Sequence, residues 1–288
     1  MNAILGLIIT VAMVFGGYLL AGGKMGIITH SLPFEGMMIG GAALGAFLVG
    51  NDMNTVKHTG GDVISVFKGA KWKKTDYQDL LCLMHELLNL MKQNPVELEG
   101  HIEAPEESSI FSKYPKILKD HSAIELVCDT IRSMIMNFDN VHQVEELLQK
   151  QLEQLAEDKL HGSHALQNMA DALPALGIVA AVLGVIKTMA SIDKPPEILG
   201  GMIGGALVGT FLGVFLAYGL VGPFAKKVKD IRTEEHAFYS MIGEILVSNL
   251  HLNPVSICVE VARRHAPSRV RPSFDEVEQA LREAKKAA

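Results

Sequence analysis

The sequence holds few of the residues on which cross-linking, metal binding or catalysis depend. Its three cysteines, Cys82, Cys128 and Cys258, stand far apart and form no C-x-x-C pair. That spacing gives neither a disulfide framework nor a zinc site. All three fall in segments that read as cytoplasmic, where thiols stay reduced. No G-x-x-x-x-G-K-S/T, H-E-x-x-H or G-x-S-x-G run occurs, so phosphate-loop, zinc-hydrolase and serine-hydrolase chemistry find no motif. His161 and His164 read as a solvated helix end rather than a metal site. The chain is therefore not expected to be an enzyme, and neither a metal nor a cofactor is expected. A basic stripe with interleaved aromatics is missing too: net charge is -6 and aromatics are 6%, which excludes a nucleic-acid surface. Strand-like alternation nowhere extends beyond a few residues.

What the sequence has is apolar length. Hydrophobic residues are 49% and charged ones 20%, a mixture that fits membrane spans joined to a soluble part of comparable size. Two long runs form a hairpin. Ala172 to Met189 holds no charge until Lys187, and Ile198 to Phe224 holds none. The polar turn Ser191 to Glu197 joins them. Each can cross a hydrocarbon core of roughly 30 Å, which takes about 20 residues at about 1.5 Å each. Ile4 to Ala21 is another span; it lacks the basic start of a signal peptide. A further run extends from about Pro33 to Gly50, interrupted early by Glu35, so its apolar core reads as short.

Lysine and arginine set the orientation. Lys57, Lys68, Lys71, Lys73 and Lys74 follow the second run, and Lys226, Lys227, Lys229 and Arg232 follow the fourth. The two short turns carry only Lys24 and Lys194. Both termini and the long middle segment are thus expected in the cytoplasm. The expected class is an all-α integral membrane protein with four transmembrane helices and a helical cytoplasmic part. The spans fall in 1–50 and 171–223, the cytoplasmic helices in 51–170 and 224–288.

The middle segment carries amphipathic helices. Tyr77, Leu80, Leu81, Met84, Leu87, Leu88 and Met91 recur at helical spacing on one stripe, and Asn94-Pro95 ends that helix. Ala123 to Met136 reads as a second helix. A third, from Val141, can run on past His161 into the third span, with Pro174 as a kink. The fourth span is expected to continue to Leu250, where Asn253-Pro254 stops it. Ser273-Phe274-Asp275-Glu276 has the form of a capping box.

Four features bear on function. Gly200, Gly201, Gly204, Gly205, Gly209 and Gly213 line up on the fourth run, with Gly41 and Gly45 on the second; such ridges let helices approach closely in lipid. They are read as a subunit interface more than as packing within the chain. Pro174 and Pro223 lie at the same end of adjacent antiparallel helices and mark either bends or a hinge pair. Ala181 and Thr210 stand near the centres of the third and fourth spans. The Thr210 hydroxyl is expected to bond the Ala206 carbonyl, with a polar path as the alternative. Finally, no acid, histidine or arginine is expected at mid-depth, Glu35 and Lys187 being placed near the outer ends. A self-contained proton carrier needs an intramembrane titratable group, so a conducting chain of this kind must borrow one from a partner.

The chain resembles the MotA family of flagellar stator subunits over essentially its whole length. The likeness rests on VFGGYLLAGG (Val14 to Gly23), HIEAPEESSIFSKYPKILKD (His101 to Asp120), LPALGIVAAVLGV (Leu173 to Val185), LVGTFLGVFLAYG (Leu207 to Gly219) and RPSFDEVEQALR (Arg271 to Arg282). The resemblance implies a ring, understood as a pentamer, around a dimer of MotB, whose single span bears the proton-accepting aspartate. It implies a bacterial inner membrane. It makes Pro174 and Pro223 the prolines tied to torque, and Lys92 and Glu99 the charges that engage the rotor protein FliG. The family often has a basic pair where this chain has Met91 beside Lys92. Sodium-type relatives carry a Thr where Ala181 stands. Ala181 brings no oxygen, which favours protons. The other readings are an energiser resembling ExbB or TolQ, against which the four-span count argues, and a membrane scaffold without ion flux.

Overall fold

A computed structural model describes residues 2–136 and 140–287. Among the described residues the chain is helical, with no strand. The helices are α1 (Asn2–Leu20), α2 (Met25–Gly50), α3 (Met53–Lys68), α4 (Lys74–Gln93), α5 (Pro95–Glu103), α6 (Pro115–Leu118), α7 (His121–Met136), α8 (Val141–Met189), α9 (Pro196–Leu216), α10 (Gly222–Leu250), α11 (Val255–His265) and α12 (Phe274–Ala287). A 3-10 turn covers Phe111–Lys113, and a π turn, Ala217–Val221, joins α9 to α10. Four helical stretches are long and apolar enough to cross a membrane: Ala3–Leu20, Met25–Gly50, Val141–Met189 and Pro196–Leu250.

The chain divides into two compact units. The first holds the described residues up to Gly69 together with Leu160–Ile231; the second holds Ala70–Lys159 and the described residues from Arg232 onward.

In the membrane unit, α1 leaves its large side chains bare: Leu5 is 60% and Met13 71% exposed. A bare apolar helix of this length suits lipid, which is as apolar as leucine. The core is small, with Ile39, Ala43, Leu173, Ala180, Leu212 and Ala217 at its centre. Glycine makes it possible. A Cβ on Gly177 would stand 2.9 Å from the Gly209 carbonyl oxygen, and one on Gly213 would stand 2.7 Å from the Leu173 carbonyl oxygen. Helices α8 and α9 therefore meet backbone to backbone. Gly204 faces Ile27, Gly205 faces Ser31 and Gly209 faces Glu35 and Ala180. Gly204, Gly205, Gly209 and Gly213 are filled by this chain's own helices, which removes that part of the ridge as an argument for a subunit interface. Gly200 and Gly201 on α9, and Gly41 and Gly45 on α2, stay open.

Two sequence expectations change here. Helix α2 starts at Met25, not near Pro33, and runs through that proline. Proline favours a helix start because its missing N–H is an orphan there, yet membrane helices also tolerate it in their interior. Glu35 in consequence lies ten residues past Met25, roughly 15 Å along the axis. It is buried, at 6% exposure, and not at the outer end.

The second unit is built on larger residues. The α4 stripe Tyr77, Leu80, Leu81, Met84, Leu87 and Leu88 is wholly buried. It packs with Phe238, Met241 and Ile245 of α10 and Cys258 of α11. Trp72 stacks on Phe238 with centroids 3.9 Å apart. Asp120 is buried among polar partners: it forms an ion pair with Lys71, takes the Ala123 N–H at 2.9 Å and takes the Tyr239 hydroxyl at 3.1 Å. The capping box at α12 forms as its spacing predicts, the Ser273 N–H donating to Glu276 Oε2 at 2.6 Å and the Glu276 N–H to Ser273 Oγ at 3.2 Å. The same Glu276 accepts from Lys74 at 2.7 Å. These bonds, that to Lys74 first, hold its carboxyl down at about 2. Burial pushes the Cys82 and Cys128 thiols up to about 12, so neither is a reactive thiolate at neutral pH.

Candidate ion path and proline hinges

Helix α8 is unbroken from Val141 to Met189 with Pro174 in its interior. The ring leaves the Ala170 carbonyl without its helical donor. Pro174 is half-buried, and the adjoining Leu173 carbonyl faces Gly213 of α9. Pro223 is exposed and is the second residue of α10. The π turn lies immediately before it, closed by the Gly222 N–H donating to the Ala217 carbonyl. Turns of this kind relieve a proline by re-pairing the backbone around it. The sequence reading missed the π turn; its one signal was Gly219 and Gly222 shortly before Pro223.

Ala181 and the Thr210 region come to one level. A Cβ on Gly209 would lie 3.3 Å from the Ala181 nitrogen and 2.6 Å from Glu35 Oε2. Ala181 and Thr210 are both half-buried. Four other threonines bond their i−4 carbonyls: Thr10 to Gly6 at 2.9 Å, Thr29 to Met25 at 3.1 Å, Thr59 to Thr55 at 2.7 Å and Thr188 to Gly184 at 2.9 Å. Thr210 makes no such bond to Ala206 among the described residues, so its hydroxyl is available to another group. Sequence reasoning placed Glu35 elsewhere; the signal that could have found it is Ser31 one turn before it on the same face.

Lys92 and Glu99 belong to the second unit. Both are exposed. The Asn94 side chain caps α5 between them, its Oδ1 accepting the Glu97 N–H at 3.3 Å. Lys92 Nζ donates to the Asn253 carbonyl at 3.2 Å, which fixes the end of α4 against the α10–α11 turn. Beside Glu99 stands Val96, 79% exposed. An apolar side chain between two charges is a composition suited to a protein contact.

Residues 4–95 match the motility protein A N-terminal family, and residues 121–241 match the MotA/TolQ/ExbB proton channel family. Motility protein A of Salmonella typhimurium is 37% identical over 283 residues, covering 98% of this chain and 95% of that one. The chain belongs to the motility protein A family. Motility protein A of Escherichia coli is likewise 37% identical, over 99% of this chain and 96% of its own length. Chemotaxis protein LafT of Vibrio parahaemolyticus is 34% identical over 98% of this chain and 99% of its own. Among solved structures, a chain of C. jejuni MotAB superposes with a TM-score of 0.70 at 20% identity, covering 95% of this chain and 98% of that one. A chain of the flagellar MotAB stator complex of Bacillus subtilis gives 0.68 at 19%, covering 96% and 100%. This motility protein A homologue is thus a membrane-embedded stator subunit of the flagellar motor, and 121–241 is its proton-channel family segment.

Proposed function

We propose that the chain conducts protons together with a MotB-type single-span protein and turns that flow into torque on the rotor. The observation that carries this reading is the pairing of two prolines with two long helices. Pro174 and Pro223 each interrupt backbone pairing at the end of a span, and each helix continues past its proline without a break. A charge change between the spans can then alter helix bending, and the bend is carried along one continuous helix. One charge crossing about 100 mV releases about 2.3 kcal/mol. Coupling energies between sites are about 1 to 3 kcal/mol, so one ion per step is sufficient.

In this reading Ala181 and Thr210 line this chain's side of the ion path, and the partner's carboxylate completes it. Related structures are MotAB complexes, which supports such a partner and an oligomer; a ring of five around two partner chains is the form we propose. The absence of an oxygen on Ala181 favours a proton, since sodium must trade its water shell for several oxygen ligands. Lys92 and Glu99 face the rotor protein FliG. In this reading the chain sits in the bacterial inner membrane, and the lysine distribution supports both termini in the cytoplasm.

Vesicles holding the chain with its partner should take up protons when a potential is applied, and vesicles with either protein alone should not. Partner-independent flux, or none, would turn the reading toward a scaffold. In cells, Pro174→Ala should leave membrane levels near normal and abolish swimming. Swimming at the ordinary speed would remove the hinge role. Motility that followed external sodium at fixed pH would refute the proton assignment.

A further inference from the structure

We propose that Glu35 is a proton-binding group in this chain's own membrane segment, loaded through a cavity between α2, α8 and α9. The proposal rests on the proton-conducting reading above and adds a station to the path. Three observations on the structure lead to it.

First, Glu35 is 6% exposed and its Oε2 has no hydrogen-bond partner. An acid held in an apolar segment is costly unless it pairs or exchanges a proton, and such residues mark proton or ion routes. Direct pairing does not account for it: among the described residues Glu35 makes no hydrogen bond or ion pair, and Lys187 acts on it only through its longer-range charge. Second, a cavity of about 690 Å³ opens beside it. His30 and Ser31 line it from α2, Lys187 from α8, and Gly201 and Gly205 from α9. The lining runs from Gly26 and Ile198, at the turn-facing ends of α2 and α9, inward to Glu35. It can therefore hold water from the side of the two short turns as far as the carboxyl. Third, the far side of Glu35 meets Gly209, where a Cβ would come within 2.6 Å of Oε2, and that glycine also touches Ala181. The carboxyl thus stands between a largely apolar cavity, whose polar lining is His30, Ser31 and Lys187, and the level of Ala181 and Thr210.

The step is a simple exchange. A proton from cavity water binds a Glu35 carboxylate oxygen and neutralises it. The proton then passes by way of water to an acceptor carboxylate of the partner, and Glu35 regains its charge. His30 and Lys187 are the titratable groups that face the cavity; α9 contributes none. Lys187, as a cation at the mouth, repels other cations and leaves the proton, which moves by exchange along water.

The test uses the chain co-purified with its single-span partner. Proton flux into vesicles is measured as a function of outer pH for the wild type, Glu35→Gln and Glu35→Asp. Infrared difference spectra of the same complexes are recorded across the pH range. Glu35→Gln should assemble normally, lose flux by at least about tenfold and lack a carboxyl band that titrates in the wild type. Glu35→Asp should conduct, with its flux profile displaced along the pH axis. Wild-type flux in Glu35→Gln overturns the proposal, and so does a spectrum with no titrating band assignable to Glu35. If Glu35→Gln fails to assemble, a Glu35→Asp profile superimposed on the wild type overturns it instead. If the wild-type complex conducts nothing, the proton-conducting reading fails, and the infrared titration alone decides whether Glu35 binds protons.

Discussion

The membrane unit and the second unit solve the packing problem in opposite ways. In the first, many large apolar side chains point outward and glycines let the helices meet around a small core. Leu5 and Met13 are exposed while Gly177 and Gly213 meet backbone to backbone. In the second, Tyr77, Phe111 and Phe238 are fully buried and the charges lie outside or in pairs. Water explains the difference. Burying a leucine in the second unit removes it from water, which is favourable by about 1.5–3 kcal/mol. Burying one between helices in lipid only exchanges one hydrocarbon neighbour for another. Close contact and hydrogen bonding must then hold the spans, and both require small residues.

Four substitutions test this contrast. The largest effect belongs to Gly213→Leu. Its Cβ alone would come 2.7 Å from a backbone oxygen that cannot give way, and overpacking of one or two methylenes already costs about 1–3 kcal/mol. The expected result is loss of the folded chain from the membrane, scored by recovery as a discrete species in detergent. Leu87→Ala in the α4 stripe should cost about 3 kcal/mol and lower the Tm by roughly 6–12 °C, read by thermal unfolding of the whole chain. A Leu87→Ala protein as stable as the parent would show that the second unit does not rely on apolar burial.

Asp120→Asn comes next, at about 2 kcal/mol after discounting for the half-exposed Lys71. Burial pushes the Asp120 carboxyl up, but the bonds from Lys71, Ala123 and Tyr239 outweigh it and hold the carboxyl below its ordinary value of 3.8. The folded state thus binds the proton less readily than the unfolded chain. The stabilisation is whole above that value and is lost as pH falls through the lowered one. Parent and Asp120→Asn unfolding curves should therefore converge on acidification; a constant gap would show that Asp120 acts only through shape. The smallest effect is Leu5→Ala on α1, within about 0.5 kcal/mol, because that side chain has lipid on one side in either state. A cost like that of Leu87→Ala would mean that α1 is covered by another subunit.

Much of this was legible in the sequence, for identifiable reasons. The spans stand out by length and lack of charge. Asn253-Pro254 ends α10 because proline cannot continue a helix, and Ser273 with Glu276 opens α12 through two complementary bonds. Other features have no unique sequence signal. A glycine every fourth residue gives the same pattern whether the facing helix belongs to this chain or to another: Gly204 to Gly213 turned out to be filled from within, while Gly200, Gly201, Gly41 and Gly45 stay open. Proline is at home at a helix start, which hid the first two turns of α2. With the start misplaced, Glu35 moved from a buried position to the helix end, and the role of an acid in the membrane was assigned wholly to a partner. Membership of Ala181 and Thr210 in one layer depends on how α8 and α9 cross, which no single-helix pattern records.

The π turn at Ala217–Val221 carries one more consequence. Closing a loop of helix over five residues instead of four inserts a single residue into the screw. Each residue of an α-helix turns the chain by about 100°. Every side chain of the first unit beyond Val221 is therefore phased by that insertion, including Ala225 and Val228, which pack with Val66 and Leu166. Deleting Leu220 would restore an ordinary screw and swing that pair by roughly a quarter of a revolution. The widened turn is a phase adjuster: it aims the start of α10 at α3 and α8.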